Sequence, residues 1–475
     1  MTAGPNGPDG RPLPVVSPAD GRLLDLLPAT TAAQVEAAVR RARRAFDSGV
    51  WSGLPHRERA AVLLRLADLM HRDRELLARL DSEDAGKPVT ECRTSDVPDA
   101  VEAVRWFAEA ADKLYGSVAP AAGDLGFTRR EPLGVVAAIV PWNYPLAMTA
   151  WKVGPALAAG NCLLVKPAEA TPRSARHLAA LAEEAGVPAG VLTVLPGHGA
   201  VTGAALARHP RIGALSFTGS TATGRRVLAA AAETNFKRVS LEMGGKSPQI
   251  LMPDALSFGD ALIDDMIDAA FLTMGQNCTA GSRILVHHSI ADRVRERFVA
   301  AARSLEIGDP ASPATRVGPL IDRAALARVA AAVDVARAGG ARVLTGGAPA
   351  DVHPGGSYYP PTVLSQVPAD SAVLTRELFG PVVTVQTFRS EAEAVGLANA
   401  GDYGLAASVW SRDLDVALRL ARTVQAGVVS VNCYSEGDIT VPFGGWKQSG
   451  FGGAEKSLAA FDQWTRRKTV WIRGR

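Results

Sequence analysis

From residue 135 to residue 241 the sequence alternates short apolar runs with longer amphipathic ones, and this alternation limits the fold more than any other feature. Residues 135–140, 162–165, 191–195, 214–217 and 239–241 are apolar runs too short for helices and read as buried strands. Between them, residues 147–159, 172–185, 201–208 and 220–233 carry helical patterns. Pro172 near one helix start and Gly186 beyond its end fit the usual asymmetry of helix termini. Such alternation predicts a parallel sheet with helices on both faces.

A second alternation follows. Strands are expected at 249–251, 284–286, 343–344, 382–388, 407–410 and 428–431, with helices near 256–273, 290–304, 322–338, 391–400 and 414–423. Ahead of both, residues 33–111 are helical in pattern, with Val35, Ala38 and Val39, then Val62, Leu63, Leu66, Leu69 and Met70, at helical spacing. Residues 126–131 look like one arm of a hairpin. Residues 468–472 have a strand composition but no partner nearby in sequence. Residues 1–14 are rich in Gly, Pro and Asp, lack the regions of a signal peptide, and read as a loose tail. A length of 475 residues fits two or three domains.

Composition excludes several roles. Net charge is +3 with no basic block, so nucleic acid is not expected as a partner. The longest apolar run, 134–165, is broken by Pro141, Asn143, Pro145, Lys152 and Asn161 and cannot be a membrane span. The four cysteines form no CxxC pair, which fits a reducing cytoplasm. The eight histidines form no HxxxH or HExxH, and His287-His288 are expected on opposite faces of a strand, so no metal site is expected.

Five stretches carry polar or reactive groups where such a sheet would expose them. Met274-Gly-Gln-Asn-Cys-Thr-Ala-Gly-Ser-Arg283 sets Cys278 among small and polar neighbours, the setting of a nucleophile more than of a packing cysteine. Phe217-Thr-Gly-Ser-Thr-Ala-Thr-Gly224 closes a strand and opens a helix; free N–H groups there, with Ser220 as cap, suit a phosphate or simply a capped turn. Lys166-Pro-Ala-Glu169 ends a strand, where a lysine and a carboxylate can hydrogen-bond a ribose diol or form a solvated pair. A carboxylate there disfavours a 2′-phosphate, favouring NAD over NADP. Pro141-Trp-Asn-Tyr-Pro145 aims Asn143 either at a developing oxyanion or at a helix N-terminus. Leu241-Glu-Met-Gly-Gly-Lys246 places Glu242 at a strand end, as a general base in an apolar setting or as an ordinary ion-paired acid.

In order along the chain, PWNYP, KPAE, FTGSTATG, LEMGGKSP, GQNCTAGSR, ELFGPV and PFGGWKQSG resemble the motifs of the NAD(P)-dependent aldehyde dehydrogenase superfamily, over residues 15–472. The resemblance implies an α/β fold in three parts: a Rossmann-like NAD-binding domain (1–112 and 133–244), an α/β catalytic domain (245–441), and a small β oligomerisation arm (113–132 and 458–475) that gives residues 468–472 a partner in a neighbouring subunit. It implies a homodimer or homotetramer. It makes Cys278 the nucleophile, Asn143 an oxyanion donor, Glu242 the base that activates water, and Lys152 a residue near the proton path. Lys166, Glu169, Gly199, Phe217, Thr218, Gly219, Ser220 and Gly244 are its expected cofactor contacts, with Glu377 and Phe379 at the nicotinamide end and Pro141 and Trp142 beside them.

After KQSG the family pattern has Arg and an acid; here Gly452-Gly-Ala-Glu455 lacks the arginine and gains one residue, with Glu455 standing in for the acid. Residues 431–438, Lys456-Ser-Leu458 and the ending 468–472 resemble the subgroup acting on γ-glutamyl-aminobutyraldehyde, guanidinobutyraldehyde and similar products of polyamine breakdown. That resemblance puts Glu436 and Asp438 on a cationic tail, and Tyr144, Trp151, Asn277, Thr279, Tyr434 and Phe443 along the substrate tunnel. The competing readings are a broad or betaine-type aldehyde dehydrogenase, an acylating enzyme using coenzyme A, and a silent scaffold. Glu242 counts against the second, and intact Cys278, Asn143 and Glu242 against the third.

Overall fold

The computed structural model describes residues 10–121 and 123–474. One sheet has six strands, in the order Gly450–Phe451, Arg238–Glu242, Ala214–Thr218, Val135–Ile139, Cys162–Lys166 and Leu192–Val194. The last five pair in parallel, as the alternation predicts. Gly450–Phe451 comes from far along the chain and joins the edge antiparallel, with Gly450 opposite Glu242. Strand order reverses between Val135–Ile139 and Ala214–Thr218, so their carboxyl ends open a crevice at the switch point. Val136, Ala137, Ala138, Leu163, Leu164 and Val165 are buried in succession, the mark of a sheet covered on both faces.

The second sheet has seven strands, in the order Arg342–Thr345, Thr362–Ser365, Val382–Phe388, Arg283–His287, Pro248–Leu251, Ala406–Trp410 and Val428–Val431. Only the first pair is antiparallel. Thr362–Ser365 was not expected: it is short and follows Pro360-Pro361, which ordinarily argue against a strand inside a sheet.

Four expectations need correction. The described part of the N-terminal tail is structured: Leu13–Val16 pairs antiparallel with Leu23–Leu27, burying Leu13 and Val15 against Leu27. The helix expected at 256–273 is broken, with Gly259 at φ +70° before a helix at Asp260–Phe271, and Thr273 and Met274 in the left-handed region after it. The strand Thr465–Ile472 finds its partner within the same chain, in Leu125–Pro132, which also pairs with Val118–Ala119. The long sequence separation had hidden that pairing. Finally, Arg283–His287 ends at its first histidine, and the rings of His287 and His288 lie 4.6 Å apart instead of on opposite faces.

Asn161 ties the C-terminal strand to the first sheet. Its Oδ1 accepts from Gly134 N–H at 3.0 Å, and its Nδ2 donates to Ala156 O at 3.1 Å and Trp464 O at 3.0 Å. The side chain is fully buried. Asn161→Leu strands the Gly134 N–H and leaves the Ala156 and Trp464 carbonyls with only their backbone donors, Asn161 N–H and Leu133 N–H, at a cost of about 1–3 kcal/mol. The expected result is a lower urea midpoint at unchanged slope.

Candidate active site

Cys278 precedes a strand of the seven-stranded sheet, and Glu242 ends a strand of the six-stranded one. Two glycines let these supports meet. A Cβ on Gly245 would overlap the Cys278 carbonyl oxygen, and one on Gly244 would overlap the Glu377 carboxylate. Glu377 instead accepts from Gly245 N–H at 3.0 Å. The result is a cavity of about 880 Å³ that Asn143, Glu242 and Cys278 all line.

Lys166, Glu169, Gly199, Phe217, Thr218, Gly219, Ser220, Gly244, Glu377 and Phe379 line the same cavity, with Pro141 and Trp142. Ser220 caps the twelve-residue helix Thr221–Ala232 by accepting from Thr223 N–H. Gly219 sits where a Cβ would come within 2.7 Å of the Phe217 ring. Lys166 is buried, donates only to the Pro167 carbonyl at 3.0 Å, and has its pKa lowered by burial. Glu169 accepts from Gly199 N–H. Trp142 meets Phe379 edge to face at 5.2 Å, and Phe379 holds φ +55°.

Toward the other end lie Tyr144, Trp151, Asn277, Tyr434, Glu436 and Phe443. Trp151 packs edge-on to Phe443 at 5.7 Å. Asn277 Nδ2 donates to the Tyr434 hydroxyl at 2.9 Å, and the Thr279 hydroxyl meets Tyr434 at 3.0 Å and donates to Glu436. Thr279 thus stands behind the wall, tying the loop at 434–436 to the loop that carries Cys278. Lys152 also stands behind it, fully buried and ion-paired with Glu455, which does line the cavity. Asp438 is not brought to the cavity. It is exposed, and its carboxylate turns back to accept from Thr440 N–H at 2.8 Å and from the Thr440 hydroxyl, so its expected contact with a substrate tail is corrected. Sequence reasoning missed Asp99, which lines the cavity and accepts from Trp151 Nε1–H at 2.8 Å.

Burial raises the proton affinity of the reactive groups. It pushes the Cys278 thiol well above its ordinary value, helped by the nearby Glu436, Glu377 and Glu242 carboxylates. Burial and the neighbouring Glu455 raise Glu242 well above the usual carboxylate range, and burial takes Glu377 up to about 7. The Glu242 Oε2 and Glu455 Oε2 atoms are buried without a protein hydrogen-bond partner. A thiol, an amide and a carboxylic acid in one cleft suit acyl chemistry through a covalent sulfur intermediate. Among the described residues no cluster of His, Cys, Asp or Glu could hold a metal ion, and no helix is long and apolar enough to cross a membrane.

Comparison with known proteins agrees with this geometry. The model of the aldehyde dehydrogenase family matches residues 6–470. An aminoacetaldehyde dehydrogenase of Pseudomonas aeruginosa is 46% identical over 98% of this chain and 92% of its own. The solved gamma-glutamyl-gamma-aminobutyraldehyde dehydrogenase from Burkholderia cenocepacia is 48% identical, with a TM-score of 0.95 over 98% of this chain and 94% of its own. An indole-3-acetaldehyde dehydrogenase of P. syringae, solved as a mutant with NAD+ and IAA, is 45% identical at a TM-score of 0.95, covering 98% and 93%.

A clamp that no motif marked holds the loop ahead of Cys278. Thr273 and Met274 have φ of +52° and +56°, rare for side chains of this kind, and Thr273 is β-branched. Glu91 accepts both the Thr273 N–H, at 3.1 Å, and its hydroxyl, and that hydroxyl also meets Tyr144 at 3.1 Å. Three residues on, Gln276 O accepts from Asn143 Nδ2 at 2.9 Å. Glu91→Ala is expected to slow alkylation of Cys278 at least fivefold, because the strained turn loses its acceptors. Adding Thr273→Gly should return most of that rate, since glycine adopts a left-handed φ freely. Timed labelling with iodoacetamide measures both.

Proposed function

The chain belongs to the aldehyde dehydrogenase family, and from that premise we propose that it oxidises an ω-aminoaldehyde to the amino acid with NAD as hydride acceptor. The observation carrying this reading is that Cys278, Asn143 and Glu242 share one cavity with the crevice edged by Lys166, Glu169 and Ser220.

That crevice fits a dinucleotide. Lys166 and Glu169 can hold the adenosine ribose, and the N–H groups at the start of Thr221–Ala232, beside Gly219, can receive the pyrophosphate. Glu377, Phe379 and Trp142 border the nicotinamide end. Glu169 repels a 2′-phosphate, which favours NAD over NADP.

Cys278 gives its proton to Glu242 and its sulfur attacks the aldehyde carbon; a C–S bond forms and the carbonyl electron pair moves to oxygen. Asn143, with one N–H engaged by Gln276, has a second for that oxyanion, and the Cys278 backbone N–H is the other donor. Bound NAD would supply a hydride acceptor for that carbon, and Cys278 would then carry the acyl group as a thioester. Glu242 takes a proton from water as that water attacks the thioester, and the C–S bond breaks to release acid and thiolate. The buried pair Lys152–Glu455 lies beside Glu242 and offers its proton an onward route.

The names of the aminoacetaldehyde and γ-glutamyl-aminobutyraldehyde relatives support an aminoaldehyde, as do Asp99 and Glu436 in the cavity wall. We read the exposed three-stranded sheet, with Trp471 and Ile472 uncovered, as the contact of a homodimer or homotetramer. With it go the cofactor part (1–112 and 133–244), the catalytic part (245–441) and the arm (113–132 and 458–475). Four free thiols suit the cytoplasm.

The test is nicotinamide reduction, without coenzyme A, on 4-aminobutyraldehyde and on pentanal. The expected kcat/KM ratio is at least tenfold in favour of the charged substrate, falling in Glu436→Gln. No reduction unless coenzyme A is added, or equal rates, would refute the reading. Because burial raises Glu242 and only its ionised form is a base, kcat should keep climbing with pH above the ordinary carboxylate range wherever thioester hydrolysis limits. Glu242→Gln should remove that climb with most of the rate.

A further inference from the structure

The substrate half of the cavity holds a cation that the chemistry above does not use. Lys456 is buried and lines the cavity, with its ammonium 4.8 Å from the centre of the Trp151 ring and 5.5 Å from that of Phe443. Its hydrogen-bond partners are neutral carbonyls, Gly437 O at 2.9 Å and Glu436 O at 3.2 Å. An ammonium has three N–H groups, so two acceptors leave one to spare.

The backbone is held in an unfavoured shape to put it there. Lys456 and Ser457 have φ of +57° and +48°. Ser457 N–H to Ile439 O at 2.7 Å, and Phe443 N–H to Glu455 O at 2.8 Å, fix that shape from both sides. A lysine meant only to cover an aromatic surface has no need of a buried, strained seat inside a ligand cavity.

Two carboxylates share this half, Asp99 under Trp151 and Glu436 beside Thr279. Lys456 stands within electrostatic reach of Asp99 yet donates to neither acid, so a neutral tail would leave all three charges without a direct partner, and a bare ammonium would answer the acids while facing Lys456. A tail ending in an amino-acid group carries both signs on one carbon. We propose that Lys456 is a specificity-determining residue that receives a carboxylate at the far end of the substrate, so that the preferred aldehydes end in a zwitterionic amino-acid group. The ammonium of that group turns toward Asp99 and Glu436. The inference rests on the aminoaldehyde reading above and narrows it.

Three aldehydes with one reactive end test it: N-(γ-glutamyl)-4-aminobutyraldehyde; the analogue lacking only the α-carboxylate; and the N-butyryl analogue, lacking both charges. The first should exceed the second in kcat/KM by at least tenfold, chiefly through KM, as a buried charge-assisted hydrogen bond implies. Lys456→Met keeps an apolar stem against the rings and should bring the ratio to within threefold of one; Lys456→Arg should retain a clear preference. A wild-type ratio near one overturns the proposal without any variant, and so does a ratio unchanged in Lys456→Met. Failure to turn over any of the three with NAD would instead overturn the aminoaldehyde reading beneath it.

Discussion

The close approach of two backbones at Gly244-Gly245 is the constraint on which the site depends. Glu242 ends a strand of one sheet, and Cys278 leads into a strand of the other. Where the chain leaves Glu242, only a residue without a side chain lets the Cys278 carbonyl and the Glu377 carboxylate come in. That contact makes one cavity of two supports. The switch point of the six-stranded sheet and the loop at 434–437 then supply further walls of that cavity.

Burial does two kinds of work in this cleft. It shifts Cys278, Glu242 and Glu377 toward their neutral forms, which limits like-charge repulsion between two acids and a thiol. It also makes each polar neighbour count for more. Asn143, Thr279, Tyr434 and Glu91 are all engaged in hydrogen bonds that fix the walls before any substrate arrives. Pre-set donors and a pre-set thiol spare the reaction the cost of reorganising them.

Much of this was legible in the sequence, for a physical reason. In a parallel sheet the reactive groups gather at the carboxyl ends of strands, so Asn143, Lys166, Thr218 to Ser220 and Glu242 announce themselves once the strands are found. Cys278 was legible from its small, polar neighbours. What escaped left no local mark. Thr273 and Met274 occupy a conformation that sequence ordinarily reserves for glycine, and Glu91 holds them from a distant segment. Asp99 is joined to Trp151 across a long sequence separation, which no local pattern marks. Asp438 looked equivalent to Glu436, yet an exposed turn onto Thr440 takes it away. Thr465–Ile472 showed its strand character but not its partner, because pairing over so long a separation is written in no local pattern.

The central claim is that Cys278 carries the substrate as a thioester which Glu242 then releases. Intact-mass and peptide mass spectrometry of Glu242→Gln, quenched after mixing with NAD and an aldehyde, tests it most directly. The account predicts an acyl adduct on the peptide containing Cys278, building to near one per chain and absent when NAD is omitted. An adduct on Cys92, Cys162 or Cys433, or no adduct while product still accumulates, would contradict it.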